Sequence, residues 1–377
     1  MAGNMQFRRN FLGQVAPRGA VCYFLGAGFS RALNDDYPTA RRFFMREMPF
    51  LEQTGTGPGV ARRTVRYDRV SRDLRGLLDR IEKQYGPLEE LDVEQVMTDL
   101  YVRAFGLGQA WERGVPVGDS PLTVSELQRD YQALLTYVED RLRSIDQVWA
   151  PYPLGKRFAK TLFAQDSLLT LNYDTLIERH LYFAQKTAYL KQLEQTIGPP
   201  FFAANRLDFP FREVREPRAG VFAKLHGSLD WLTCPNDACA NHPYIYPYSP
   251  AYGPRDGTQR FPGMQKGRCD ACGRSPEPVI VPPITAKVFE RFPKLNLMWS
   301  QAYEAIRFAQ RWVFVGVSFA ANDFHLGALL RAGSRDALYF SPDPGHEGEI
   351  CVVSEDDDHA ADAAKRPPPF LLVRERG

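Results

Sequence analysis

Apolar positions fall in a few short, nearly unbroken runs, and the stretches between them repeat with a helical period. Ala20–Leu25 (AVCYFL) is the first such run, the pattern of a strand buried on both faces. Ser167–Leu171 (SLLTL), Val221–Leu225 (VFAKL), Val279–Val281, Arg311–Val317 (RWVFVGV) and Glu349–Ser354 (EICVVS) read as five further strands. Helical patterns lie between them. Arg69–Gln84 carries Leu74, Leu77, Leu78 and Ile81 on one face, Val93–Phe105 starts behind Asp92 as N-cap, and Thr123–Val148 has a stripe from Leu127 to Val138. Shorter helices are predicted over Pro38–Met48, Leu154–Ala164, Thr175–Phe183, Leu297–Gln310 and Asp323–Ala332, while 184–220 is weakly patterned. Alternation of this kind predicts an α/β fold, a parallel sheet with helices on both faces. The three consecutive helices after the first βα unit predict a helical insertion over 45–150. Residues 1–19 read as a polar arm, 20–354 as one domain and 355–377 as a charged, proline-rich tail.

Composition narrows the classes. With 24% charged and 44% hydrophobic residues the chain reads as a soluble globular protein, and a net charge of +2 gives no global field toward nucleic acid or a membrane. No apolar run is long enough to span a bilayer and the N-terminus lacks a signal-peptide core, so a cytoplasmic protein is expected. Six cysteines in such a chain point to metal before disulfides. Cys234 and Cys239 form a C-x4-C pair and Cys269 and Cys272 a C-x2-C pair. Four thiolates on two knuckles suit a closed, structural zinc site in a small module over 232–278. Unliganded surface thiols are the competing reading, and His242 could replace one ligand. Cys22 and Cys351, inside strands, are expected to be inert core thiols.

The polar residues gather where the strands end. The first run breaks into Gly26-Ala27-Gly28-Phe29-Ser30, a glycine turn leading to a helix, which can cradle a phosphate. The dinucleotide fingerprint would need a third glycine where Arg31 stands, so alone the turn reads equally as a tight turn with no ligand. The other strands end in Thr170-Leu171-Asn172-Tyr173-Asp174, in His226-Gly227-Ser228 and in Gly316-Val317-Ser318. Singly, Asn172–Asp174 could be an Asx turn, His226 a core histidine and Asp323 only an N-cap. In an open Rossmann-like parallel sheet, however, these ends converge on one crevice.

In the order and spacing of GAGFS, TLNYD, HG and GVS the chain resembles the sirtuin family, and more closely its prokaryotic sirtuin-like branch. That resemblance implies NAD+ consumed as a substrate. Gly26, Ala27, Gly28 and Ser30 would hold the pyrophosphate, with Thr170, Gly316 and Ser318 as further cofactor contacts. Asn172 would hold the nicotinamide ribose and the attacking water, Asp174 would orient the turn, and His226 would be the base on a ribose hydroxyl. Where family deacylases offer an edge strand to the acyl-lysine peptide, this chain reads Val279-Ile280-Val281-Pro282-Pro283-Ile284, a poor edge for strand addition. The run P-P-I-x-x-K, W-x-x-A-Y and V-G-V-S-F-x-x-N-D instead resembles sirtuin-like NAD+ hydrolases of prokaryotic antiphage systems. The implied activity is NAD+ glycohydrolysis to nicotinamide and ADP-ribose, as the effector of an abortive-infection defence. The implied companions are further copies of the chain and a separately encoded HerA-type ATPase or short Argonaute. The alternatives are an NAD-dependent deacylase or ADP-ribosyltransferase, and a non-catalytic module that senses NAD or ADP-ribose.

Overall fold

The computed structural model describes residues 21–34, 37–40, 43–44, 72–106, 123–145, 152–198, 220–247, 264–265, 268–282, 284, 292–309, 311–317, 324–340 and 349–353. The arm, the tail, Ser318 and Asp323 lie outside these residues, as do parts of the 45–150 insertion.

The chain opens with β1 (Val21–Leu25), every residue of which is buried, and turns at Gly26 into the seven-residue α1 (Ala27–Leu33). Next come α2 (Arg72–Tyr85), a 3-10 turn (Leu88–Glu90), α3 (Val93–Tyr101), a π turn (Val102–Gly106), α4 (Val124–Ile145) and α5 (Pro153–Thr161). Asp92 caps α3 by accepting from the Glu94 N–H at 2.8 Å, as the sequence predicts. Arg80 of α2 forks onto Asp130 of α4 at 3.0 and 2.5 Å, and the apolar stripes of α2, α3 and α4 join the same core as the sheet. The described helices of the 45–150 stretch thus pack into the main core.

After β2 (Ser167–Thr170) follow α6 (Leu176–Phe183), α7 (Thr187–Ile197), β3 (Phe222–Lys224) and β4 (Gly227–Thr233). The helix α7 and the strand β4 are absent from the sequence expectation. Short strands β5 (Tyr246–Pro247), β6 (Met264–Gln265), β7 (Arg268–Cys269) and β8 (Glu277–Ile280) lead to α8 (Pro293–Phe308), β9 (Arg311–Val315), α9 (Phe324–Phe340) and β10 (Glu349–Val353).

Five strands form a parallel sheet in the order β10-β9-β1-β2-β3. Counted along the chain that is 5-4-1-2-3, or 3-2-1-4-5 from the other edge, with the reversal between β1 and β9, where such sheets open a crevice at the carboxyl ends of their strands. Helices cover both faces. Tyr23 meets Phe158 of α5 at 5.5 Å, whereas Phe24 points the other way and stacks on Phe314 at 4.4 Å. On Phe24's side Trp312 donates to the Ile306 carbonyl of α8 at 3.2 Å. One expected strand is elsewhere: 277–280 pairs antiparallel with β4 in a separate three-stranded sheet, β5-β4-β8. A run of three apolar residues does not say which sheet will take it.

Candidate active site

The turns after β1 and β9 fit together backbone to backbone. The N–H of Gly26 donates to Val315 O and that of Gly28 to Gly316 O, each at 3.0 Å. A Cβ on Gly26 would stand 2.4 Å from Gly316 O, and one on Gly316 (φ 62°) would stand 2.2 Å from Phe29 N. The glycines are therefore needed for the meeting of two strand ends. Two of the N–H groups expected to face a phosphate are engaged inside the protein, and Ala27 is the exposed residue of the turn. Gly316 thus joins the site as the partner of Gly26 and Gly28.

The end of β2 is braced to this turn. Thr170, buried, donates its hydroxyl to Leu25 O at 3.4 Å and accepts from Asn172 N at 3.1 Å. The Asn172 amide donates to Gly26 O at 2.8 Å and to Ser30 Oγ at 2.9 Å, and Ser30 Oγ in turn donates to Asp174 Oδ2 at 2.6 Å. Asp174 Oδ1 accepts from Leu176 N at 3.1 Å, which starts α6. Ser30 is more than 140 residues of chain from Asn172 and Asp174, yet the three form one hydrogen-bonded cluster. Both amide hydrogens of Asn172 face inward, which leaves its side-chain carbonyl as the group to offer a ligand.

His226, 5% exposed, follows β3 at the point where the chain crosses to β4. Its ring lies between Tyr173 (6.2 Å) and Trp299 (6.3 Å), so it borders the Asn172–Asp174 turn through Tyr173. Both neighbours are tied to backbone: Tyr173 OH donates to Val281 O at 2.6 Å and Trp299 Nε1 to Leu225 O at 2.9 Å. The Val281 N–H donates to His226 O at 2.9 Å, so the small sheet holds the residue as well. The aromatic frame of His226 is not legible in the sequence, because Trp299 lies 73 positions away on a helix whose pattern reads as core.

Beneath the cluster, Lys224 of β3 donates to Glu178 Oε1 of α6 at 2.5 Å and to the backbone carbonyl of Asp174. Both side chains are buried. Burial pushes the Glu178 carboxyl up to about 7. Burial also works against the Lys224 ammonium, but Glu178, Asp230 and Asp174 around it hold its proton more tightly. In the sequence the pair shows only as a lysine inside the apolar run VFAKL.

The cysteines form a separate centre. Cys234, Cys239, Cys269 and Cys272 bring their sulfurs within 4.8 Å of one another, with Cys234–Cys272 at 3.4 Å and Cys239–Cys269 at 3.6 Å. A tetrahedron with 2.3 Å zinc–sulfur bonds has edges of about 3.8 Å, so the set can hold zinc. Asn241 supports it, donating its side-chain amide to Cys269 Sγ at 3.4 Å while accepting from Tyr246 OH at 3.1 Å. His242 is not among the four; its Nδ1 lies 2.8 Å from Cys234 O. Cys22 is buried in β1, where burial pushes its thiol well above the ordinary range, in keeping with an inert core residue. The side chain of Cys351 lies outside the described residues.

No family model matches the chain, and no curated protein matches it. Among solved structures it is similar to a Sir2 homologue described as a complex with NAD, at 15% identity over 92% of this chain and 82% of that one, with a TM-score of 0.39. It is also similar to a mutant Sir2 homologue described with 2'-O-acetyl ADP ribose (13% identity, 96% and 99% covered, TM-score 0.38). A third is a structure described under the mechanism and regulation of Sir2 enzymes (13% identity, 94% and 88% covered, TM-score 0.36). Likenesses this slight leave the chemistry to be argued from the residues.

Proposed function

We propose that the chain is an NAD+ glycohydrolase that releases nicotinamide and ADP-ribose. The observation that carries this reading is the cluster at the strand ends, where Ser30, Asn172 and Asp174 are hydrogen-bonded together and His226 stands beside them behind Tyr173. Cleaving the nicotinamide–ribose bond builds positive charge on the sugar. The reaction therefore needs a fixed sugar, an oriented water and a base near neutral pH. In this reading the Asn172 carbonyl accepts from the ribose hydroxyls or from the attacking water. His226 takes the proton of a ribose hydroxyl on its neutral ring nitrogen. Asp174, buried, keeps Ser30 and the turn in place and sets a negative charge near the developing cation. The exposed turn at Ala27, with Ser318, would receive the phosphates, while Ser30, buried and engaged by Asn172 and Asp174, would hold that turn in shape.

Zinc held by the four cysteines would be structural: with four thiolate ligands no coordination position is left for substrate. We further propose that the chain serves as the NAD+-depleting effector of an antiviral, abortive-infection defence. In that role the 45–150 insertion would be the surface for further copies of the chain or for a HerA-type ATPase or short Argonaute partner. The reading places the protein in the cytoplasm, and among the described residues no helix is long and apolar enough to cross a membrane.

The test is an NAD+-consumption assay on the full chain, alone and with each partner class, with and without an acyl-lysine peptide. Peptide-independent release of nicotinamide is expected. Asn172→Ala or His226→Ala is expected to lower it at least about a hundredfold with the fold retained by circular dichroism, the range of a lost base or positioning group. Variants as active as the parent would refute the site. Release only in the presence of peptide would make the chain a deacylase or transferase, and saturable binding without turnover would make it a sensor.

A further inference from the structure

The buried pair Lys224–Glu178 has no part in the proposed chemistry, and its placement asks for another account. Lys224 is 0% exposed and Glu178 3%. Removing two charges from water costs about as much as their attraction returns, and apolar residues of like volume hold a core as well or better. An ammonium can do one thing that a methionine cannot, which is to grip a carbonyl. The carbonyl gripped is that of Asp174, whose side chain at the same time receives Ser30 Oγ and Leu176 N. Asp174 is therefore held from both sides, by Ser30 and Leu176 at its carboxylate and by Lys224 at its backbone. Glu178, four residues further on in α6, fixes where the ammonium sits. Asp230, which lies close enough to act on both charges and accepts from Ser228 Oγ at 2.6 Å, completes the surroundings.

We propose that Lys224, held in place by Glu178, is the positioning residue of the Asn172–Asp174 turn. Its consequence for turnover rests on the hydrolase reading; its consequence for the turn does not.

The experiment replaces both charges at once, Lys224→Met with Glu178→Leu, in the full chain. Amide hydrogen exchange is followed peptide by peptide, and NAD+ turnover is measured in parallel. The double variant is expected to keep the parent's circular dichroism and cooperative melting. Exchange at residues 172–176 is expected to rise about tenfold or more, with β1 and α5 unchanged. Its kcat is expected to fall about tenfold or more with KM within about twofold, because the turn and not the binding surface has loosened. Parent-like exchange at 172–176 overturns the proposal, as does a rise spread evenly over the sheet, which would make the pair mere core. Parent-like kcat in an active parent overturns its bearing on turnover. Should the double variant not fold, Glu178→Gln keeps the volume and removes the partner charge. Faster exchange confined to 172–176 then supports the proposal and parent-like exchange rejects it. If the parent itself leaves NAD+ intact, the hydrolase reading fails while the exchange measurement still decides the role of Lys224.

Discussion

His180 shows how a buried polar side chain can be structural and still govern the response to pH. It sits in α6, 0% exposed, with Nδ1 2.5 Å from Leu176 O and Nε2 accepting the Tyr152 N–H at 3.0 Å. One ring nitrogen must donate and the other accept, so only the neutral ring fits. Burial pushes its pKa down to about 4, against an ordinary 6.5. The folded chain thus binds fewer protons than the unfolded chain between those values, so the contribution is fully present above pH 6.5 and is lost as pH falls toward 4. The loss is about 3 kcal/mol by pH 4, at 1.36 kcal/mol per unit. Thermal unfolding followed from pH 7 to pH 4 should show that decline in the parent and a shallower one in His180→Gln, which starts from lower stability. At this scale the sequence is informative about identities and silent about partners. Asn172, Asp174 and His226 stand out because they end apolar runs, while His180, Lys224 and Trp299 look like ordinary helix or strand residues until the fold surrounds them.

Among the elements, the two glycine turns and the cysteine module carry the sharpest expectations. Gly316→Ala must place a methyl against Phe29 N while holding φ at 62°, and backbone cannot yield as a side-chain tip can. A cost of about 3 kcal/mol or more is expected, read as a fall of several degrees in melting temperature. Gly76→Ala on α2 is the control. Its Cβ would meet only Arg80 Nη1, at 3.5 Å, and helix propensity favours the change by up to about 1 kcal/mol. For the module, one zinc per chain is expected by metal analysis of the purified protein. Removing it with a chelator, or making Cys269→Ser, should expose the backbone of β4 and β8 to exchange before the parallel sheet. Strands of five apolar residues and helices with a clear stripe are legible in the sequence. The sheet to which β8 belongs is not, since pairing across the chain decides it, and β4 is hidden because its alternation begins only after Gly227.

Over the whole molecule, the parallel sheet and the helices on its two faces follow the alternation of patterns. The contact between the large and small sheets does not, because it rests on single bonds such as Tyr173 OH to Val281 O. His226 lies where the chain passes from β3 into β4, so it is the last residue of one layer and the first of the other. Its carbonyl is tied to Val281 beside β8, and its ring neighbours Trp299 of α8 and Tyr173 of the turn after β2. The small sheet therefore fixes the backbone of His226 while the main body fixes the aromatic neighbours of its ring.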